Sequence, residues 1–405
     1  MKITFLIGNG FDLNLGLRTT YKAFYKNYIE SLDRKTVNNN ILYKYISQDI
    51  EDWVDFETRL GLFTFPRESN EKKNLIKQAK GLSNDNNYIE NEVDTEISAE
   101  KLLSALTDFR KDFRKYLTLE SKRLSDYDTG VSEVLLNGLV NFANDYDDNE
   151  KINIYSIMNS HVRRYSDSKK MNILPIDYSF LTFNYTEFLE IGKKGINVEE
   201  LNKKITQIFA NENYNSFKIT AKIEQIYHVH SKLSGGMFLG VDNKQQLDSK
   251  RFNNKQLTSL IKPLSNEKFN NNITEIADKE LFSSNIIVIY GTALGITDLT
   301  WWKKIITFLK KNHSNIILIH KFDLEVNIEE DDFFTLADIK EDTKDHLLSF
   351  DETLLSEEIT DLKNRIFVNL NSPNIFKSSR LKRVINSNEK NEKYNRTITH
   401  NNIIK

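Results

Sequence analysis

The sequence predicts an α/β protein with a doubly wound, mostly parallel sheet and a large inserted helical lobe. Short, continuously apolar segments of the kind that form covered parallel strands alternate with segments of helical periodicity. The chain has 405 residues but only 14 Gly and 4 Pro, and the glycines cluster where apolar segments end. Because ligands of such sheets bind at the carboxyl ends of the strands, these clusters together predict one binding site.

The first strand is expected at residues 3–7. It is followed by the turn Gly8-Asn9-Gly10 and by helical spacing over residues 13–29. Apolar runs predict five further strands, at residues 180–184, 226–230, 285–290, 315–320 and 365–370. The remaining segments predict mainly helical insertions at residues 196–225 and 243–280.

This order of segments divides the chain into four predicted parts. They are the first strand, turn and helix of the core at 1–32, the inserted helical lobe at 33–175, the rest of the α/β core at 176–375, and a basic tail at 376–405. Residues 321–361 carry fifteen Asp or Glu against three Lys, which predicts a solvated, partly ordered acidic insertion, with a partner site as the alternative. The tail, with eight Lys or Arg and two Glu, is expected to fray.

The composition excludes several classes of protein. Lys and Arg number 56 and Asp and Glu 58, so the net charge of -2 gives no field that would attract nucleic acid or an anionic membrane. The absence of Cys excludes disulfides, thiolate nucleophiles and Cys-ligated zinc. No apolar segment approaches the roughly 20 residues of a membrane span. We therefore expect a cytoplasmic protein with no membrane partner.

The first candidate ligand contacts are Gly8, Asn9, Gly10 and Asp12. A glycine turn between a strand and a helix lets the backbone approach a ligand closely and directs N–H groups at an anion such as a phosphate. The motif lacks the third glycine of the dinucleotide fingerprint, because Leu13 occupies that position. The alternative is that the glycines only form a tight turn.

Polar residues also follow the later strands. Thr182 and Asn184 end one apolar run, and Asn184 has a donor pair and an acceptor for a ribose hydroxyl or a water. The alternative is that Asn184 caps the following helix. Gly291, Thr292 and Asp298 follow the most apolar strand, where small residues and hydroxyls suit a ribose or phosphate.

His228 and His230 are two residues apart on a predicted strand and are therefore expected on one face of the sheet. An imidazole with a pKa near 6.5 suits proton transfer at neutral pH, so His230 is a candidate acid or base. His-x-His could also be half of a metal site, but the further ligands of such a site are not apparent nearby, and no metal is expected.

Together these segments resemble the bacteriophage abortive infection family AbiH. The resemblance rests on the opening Ile-Gly-Asn-Gly-Phe-Asp-Leu at residues 7–13 and its continuation at 16–21. Further family-like segments are Trp53-x-Asp55-Phe56-Glu57, Phe183-Asn184-Tyr185-Thr186, His228-Val229-His230 and residues 291–298. The resemblance implies a bacterial protein of antiviral defence, with a phage or host protein as its trigger.

The same segments look like a divergent sirtuin-type, Rossmann-like NAD-binding core. This resemblance implies that Gly8 and Gly10 match the phosphate turn, Asn184 the catalytic Asn, His230 the catalytic His, and Gly291 with Thr292 the nucleotide contact. Thr186 stands where that family has Asp, and Asp12 or Asp298 are the candidates to replace this carboxylate.

The leading hypothesis is therefore a defence protein that binds NAD or a related nucleotide and hydrolyses NAD to nicotinamide and ADP-ribose on infection. The runner-up is a non-catalytic nucleotide-sensing module that recognises a phage or host partner through its helical lobe. A third hypothesis, a nuclease, rests on the basic tail and on Asp55 with Glu57, which would point apart on a helix. The sequence leaves the oligomeric state open, with a homo-oligomer among the alternatives.

Overall fold

The computed structural model of the chain describes residues 1–66, 69–80, 97–124, 128–169, 173–211, 218–269, 272–322, 326, 328, 331–372 and 374–377. Within these residues, six strands form one sheet in which every neighbouring pair is parallel. The strands are β1 (Lys2–Ile7), β2 (Ile173–Thr182), β3 (Lys218–His228), β4 (Ile286–Tyr290), β5 (Ile316–Lys321) and β6 (Ile366–Leu370).

The strand order is β3-β2-β1-β4-β5-β6. This is the order of doubly wound dinucleotide-binding sheets, in which the direction of winding reverses between β1 and β4. Two crevice-forming loops therefore leave the sheet in opposite directions after these two strands. The predicted α/β class and parallel sheet are confirmed.

The described helices surround this sheet. They are α1 (Gly10–Asn14), α2 (Tyr21–Asn27), α3 (Arg34–Asn39), α4 (Ile41–Gln48), α5 (Phe56–Thr64), α6 (Asn70–Lys80), α7 (Ala99–Lys122), α8 (Asp128–Asn141), α9 (Asp148–Lys169), α10 (Phe188–Lys194), α11 (Val198–Asn211), α12 (Asn254–Leu260), α13 (Lys262–Phe269), α14 (Ile273–Phe282), α15 (Leu299–Lys311), α16 (Phe333–Ser349) and α17 (Ser356–Lys363).

Helices cover both faces of the sheet. On one face Ile3, Phe5 and Ile7 of β1 share a core with α8 to α11, and on the other face Leu6 and Ile287 share a core with α14 to α17. The alternation of side chains along a strand sends them to the two faces, so apolar residues at consecutive positions are required. This explains why β4 is apolar throughout and why β1 is apolar apart from Lys2 and Thr4, whose buried hydroxyl bonds to that of Ser284.

Helices α2, α4, α5 and α7 form a separate core with residues 237–261. Its centre is aromatic: the rings of Phe56 and Phe109 stack with their centroids 4.0 Å apart. Helices α8 and α9, by contrast, pack on the sheet, and β2 begins at Ile173. Much of the chain between β1 and β2 therefore forms a helical layer with a core of its own.

Two expectations about elements were wrong. Residues 218–225 were expected in a helical insertion but lie in β3, where Ile219, Ala221 and Ile223 alternate with polar residues, the period-two pattern of a strand at the sheet edge. The helix expected at residues 13–29 is two helices, α1 and α2. The chain between them turns through Gly16, whose φ of 81° is accessible to glycine at little cost.

The acidic segment contains α16 and α17, and Leu347 and Leu348 of α16 are buried against the sheet. Its residues 323–325, 327 and 329–330 lie outside the described residues, as do residues 378–405 of the predicted basic tail. Phe376, the first residue of that tail, is fully buried in the sheet core.

Candidate functional site

A cavity of about 550 Å³ opens at the carboxyl ends of the strands, beside the switch point between β1 and β4. The loops after β1, β2, β3 and β4 all contribute to its lining. Nine of the ten predicted site residues line it: Gly8, Asn9, Gly10, Asp12, Asn184, His230, Gly291, Thr292 and Asp298. Segments that are as much as 290 residues apart in sequence thus meet in one place, as expected for a doubly wound sheet.

Thr182 is the exception, because it is fully buried and does not line the cavity. Its hydroxyl donates to the carbonyl of Ile7 at 3.2 Å and accepts from the backbone N–H of Asn184 at 3.1 Å. Thr182 therefore holds the loop that carries Asn184. Asn184 itself does not cap α10, whose N-cap is Glu187, so that alternative was wrong.

The glycines of the first and last loops are required by close packing. The N–H of Gly10 donates to the carbonyl of Gly291 at 2.9 Å, and a Cβ atom on Gly8 would lie 2.5 Å from the same oxygen. The N–H of Phe11 bonds back to Gly8. Because these N–H groups are engaged within the chain, what the turn offers a ligand is close access to the backbone.

Asp12, Asn184 and Thr186 form a polar cluster in the cavity. The amide Nδ2 of Asn184 donates to Oδ1 of Asp12 at 3.2 Å, and the hydroxyl of Thr186 donates to Oδ2 at 2.7 Å. Burial raises the pKa of Asp12 to about 7, although the two hydrogen bonds and the charge of His228 oppose this shift. The carboxyl group therefore changes charge near neutral pH.

His228 and His230 do not share a face, and this expectation was wrong. Strand β3 ends at His228, and the chain turns away through Ser231, whose φ is 63°. His228 donates from Nδ1 to the carbonyl of Asn184 at 2.9 Å, since a carbonyl can only accept, and its Nε2 lies 2.8 Å from Oε1 of Glu190. Burial raises the pKa of Glu190, but the hydrogen bond and charge of His228 outweigh it and lower the pKa. His228 thus links the backbone of Asn184 to Glu190 of α10 and fixes the position of this loop.

His230 belongs to a buried chain of charged groups. Its Nε2 lies 3.0 Å from Oδ1 of Asp298, and the same oxygen is 2.8 Å from Nζ of Lys262. Lys262 also binds Oε2 of Glu57 at 2.6 Å. Only 2% of the Lys262 side chain is exposed, so its charge is held entirely by these two carboxylates.

The pKa shifts within this chain of groups have opposite signs. Burial raises the pKa of Asp298, but Lys262 and His230 outweigh burial and hold it well below its usual range. Burial lowers the pKa of Lys262, but the two carboxylates outweigh it and raise the pKa above its usual value. Burial raises the pKa of Glu57, and Lys262 offsets this only in part. Asp298 is therefore ionised and accepts a hydrogen bond from the N–H at Nε2 of His230. In the neutral form of the imidazole, this arrangement leaves Nδ1 as a hydrogen-bond acceptor.

Sequence reasoning missed Lys262, which lies on a helix with no motif to mark it. It also assigned Glu57 to a motif without a partner, because the two residues are 205 positions apart. Both acids line the cavity, but in different roles: Asp55 accepts from the N–H of Thr58 as the N-cap of α5, while Glu57 pairs with the buried Lys262.

Thr292 has a buried hydroxyl with no hydrogen-bond partner in the described chain. Buried polar groups are normally satisfied, so a hydroxyl left over in the lining of a cavity marks a position that a bound ligand can complete.

Within the described ranges, no group of three or more His, Asp or Glu side chains is arranged to hold a metal ion. Of the helices in the part of the chain that the structure covers, none is both long and apolar enough to cross a membrane.

The fold is that of an α/β protein with a parallel, doubly wound sheet, and it has a cavity of small-molecule size at its switch point. A family model described as bacteriophage abortive infection AbiH matches residues 4–320. The chain belongs to the AbiH family, and this membership suggests a role in abortive infection. Neither the curated proteins nor the solved structures show a significant match.

Proposed function

We propose that this protein binds NAD in the cavity and hydrolyses it to nicotinamide and ADP-ribose during phage infection. The observation that carries the proposal is the meeting of Asn184 with a His230–Asp298 pair in one cavity at the switch point of the sheet. Family membership supports the setting in phage defence, and the resemblance to sirtuin-type motifs supports the choice of nucleotide.

The cavity suits a ligand of this kind. Its volume of about 550 Å³ falls within the roughly 300–1,000 Å³ of small-molecule sites. The lining offers close backbone approach at Gly8 and Gly291, an unpartnered hydroxyl at Thr292 and the amide of Asn184. The hydroxyl of Thr292 suits a ribose or phosphate oxygen, and the amide of Asn184 suits a ribose hydroxyl or the nicotinamide carboxamide.

The chemistry requires one bond to break and one to form at C1′ of the ribose. The bond to the nicotinamide nitrogen breaks, and its electron pair neutralises the positive ring. The oxygen of a water bonds to C1′, and the proton of that water is taken by Nδ1 of His230. Asp298 stabilises the resulting imidazolium, and Asn184 orients the water or a ribose hydroxyl.

The test is the NAD content of infected cells, measured by mass spectrometry over time. We expect NAD to fall in cells that carry the wild type and to remain constant with Asn184→Ala or His230→Ala. His313→Ala is the matched control, because His313 is exposed and far from the cavity lining. If both cavity variants still deplete NAD like the control, the assigned site is wrong.

A second candidate is a nucleotide-sensing module without turnover. It is favoured by the contribution of the helical layer to the cavity: Tyr21, Phe113 and Leu117 line it together with the sheet loops. A ligand there would touch both layers and could change the surface that a phage or host partner recognises. This candidate predicts that purified protein binds NAD in stoichiometric amounts while NAD levels in protected cells stay constant.

A further inference from the structure

Among the described residues, no cationic side chain bonds to the carboxylate of Asp12, whereas the other buried acids of the cavity each have such a partner. Asp298 and Glu57 share Lys262, and Asp298 also pairs with His230. Within the described part of the chain, the oxygens of Asp12 accept from the amide of Asn184 and the hydroxyl of Thr186. Only 1% of Asp12 is exposed, so water compensates its charge poorly.

A buried carboxylate in this position is stabilised most by a positive charge that enters the cavity. Dipoles from Asn184 and Thr186 orient the carboxylate, but they do not neutralise it. The positive group that a nicotinamide nucleoside brings is its pyridinium ring, and during cleavage positive charge develops at the ribose C1′. Both are absent from the reduced, neutral nucleoside.

We propose that Asp12 selects cationic ribosyl-pyridinium ligands, and so the oxidised over the reduced nicotinamide nucleoside, by supplying the carboxylate that Thr186 lacks. The inference rests on the proposed function and names the ligand chemistry of the same cavity. It also assigns the carboxylate role to Asp12 and not to Asp298, whose bonds to Lys262 and His230 already compensate its charge.

The surroundings of Asp12 set the pH range of this selection. Burial raises its pKa to about 7, against hydrogen bonds from Thr186 and Asn184. In the described chain the charged group that acts on it is His228 at the end of β3, which is itself paired with Glu190 of α10. A cation should therefore bind better as the pH rises through about 7, because the carboxylate becomes charged.

The experiment measures the affinity of the full chain for nicotinamide riboside and for its reduced form by calorimetry. At about pH 8 we expect the wild type to bind the cation at least about tenfold more tightly, a difference of about 1.4 kcal/mol. Between about pH 6 and pH 8 the affinity for the cation should rise about tenfold, following ionisation of a group with a pKa of about 7.

Asp12→Asn should abolish both the preference and its pH dependence. Asp55→Asn is the matched control: Asp55 lines the same cavity but is exposed, and Asn can replace it as an N-cap. Thr186→Val keeps Asp12 and removes a hydrogen bond that lowers its pKa, so the midpoint of the pH dependence should move upward.

Equal affinity for the two ligands, failure of the cation to bind at about pH 8, or a preference that survives in Asp12→Asn would each overturn the inference. A preference lost equally in Asp55→Asn would also overturn it. The total negative charge of the cavity, and not Asp12 in particular, would then account for the preference. A wild type that discriminates without hydrolysing NAD would refute the proposed function alone, and one that hydrolyses NAD without discriminating would refute only the role of Asp12.

Discussion

Lys262 compensates two carboxylates at once, and this makes it the side chain of the site whose loss should affect folding most directly. In Lys262→Met the two acids would remain buried and repel each other. We expect a loss of about 3–5 kcal/mol in the free energy of unfolding, the usual cost of breaking a buried ion pair. Urea unfolding at neutral pH measures it.

Two further variants serve as a control for this prediction and as a test of its cause. Lys232→Met removes an ion pair with Glu187 that is more than a third exposed on both sides, so it should cost no more than about 1 kcal/mol. Adding Glu57→Gln to Lys262→Met removes one uncompensated charge and should recover part of the loss. Equal stability of Lys262→Met and Lys232→Met would show that the buried carboxylates are solvated.

Because of Asp12, the free energy of unfolding should fall as the pH rises. Burial raises its pKa from 3.8 to about 7, so between these values the folded chain binds a proton that the unfolded chain has lost. Asp12 contributes its full stabilisation to the free energy of unfolding below pH 3.8, where both states are protonated. As the pH rises from 3.8 to the folded pKa of about 7, this free energy falls by up to about 4 kcal/mol. The stability of Asp12→Asn relative to the wild type should therefore increase from acid to neutral pH. A difference independent of pH would contradict the prediction.

These residues also show how far a single sequence could predict the site. Asp12, Asn184 and Asp298 could be named because each follows an apolar strand, and parallel strands bring their carboxyl ends together. Lys262 could not be named, since its role depends on Glu57, 205 positions earlier, and no local pattern records that proximity. The separation of His228 from His230 was missed because it depends on where β3 ends.

At the scale of elements, the turns after β1 and β4 pack backbone to backbone. A Cβ atom on Gly10 would collide with Cα of Gly291, and neither turn can yield without disturbing its strand. We expect Gly10→Ala to cost about 1–3 kcal/mol as an overpacked contact. Gly295→Ala is the control, because its added Cβ would meet nothing nearer than 3.8 Å. Thermal unfolding compares the two, and similar melting temperatures would argue against close packing as the reason for the glycine.

The strands could be predicted where both faces are covered and could not where one is open. β4 is apolar at every position and β1 at all but Lys2 and Thr4, so composition alone marks them. β3 lies at the sheet edge and alternates apolar with polar residues, so no continuous apolar run marks residues 218–225 as a strand. The packing of α2, α4, α5 and α7 into a core apart from the sheet depends on contacts with residues 237–261, which no periodicity predicts.

At the scale of the whole molecule, the cavity lies where the loops of the sheet meet the helical layer of α2, α4, α5 and α7. The sheet loops provide Asp12, Asn184 and Asp298, whereas the helical layer provides Tyr21 and Phe113. The ion pairs of Lys262 join the layers, because Glu57 belongs to α5 and Asp298 follows β4. Any movement of the helical layer against the sheet would therefore alter the partner of His230 before it altered the sheet itself.

Phe376, near the far end of the described chain, packs beneath the two glycine turns that line the cavity. The ring of Phe376 packs edge-on against Phe11 and Tyr290, the residues that precede Asp12 and Gly291, and its carbonyl accepts from Nδ2 of Asn14 at 2.7 Å.

Phe376→Ala would empty this space, and we expect a loss of about 3–5 kcal/mol in stability. Phe334→Ala is the matched control, because Phe334 is 77% exposed, and it should leave stability unchanged. Because the lost ring borders both glycine turns, ligand affinity measured by calorimetry should weaken in Phe376→Ala even under conditions where it remains folded. Unchanged affinity in a destabilised variant would show that the turns hold their geometry without this support.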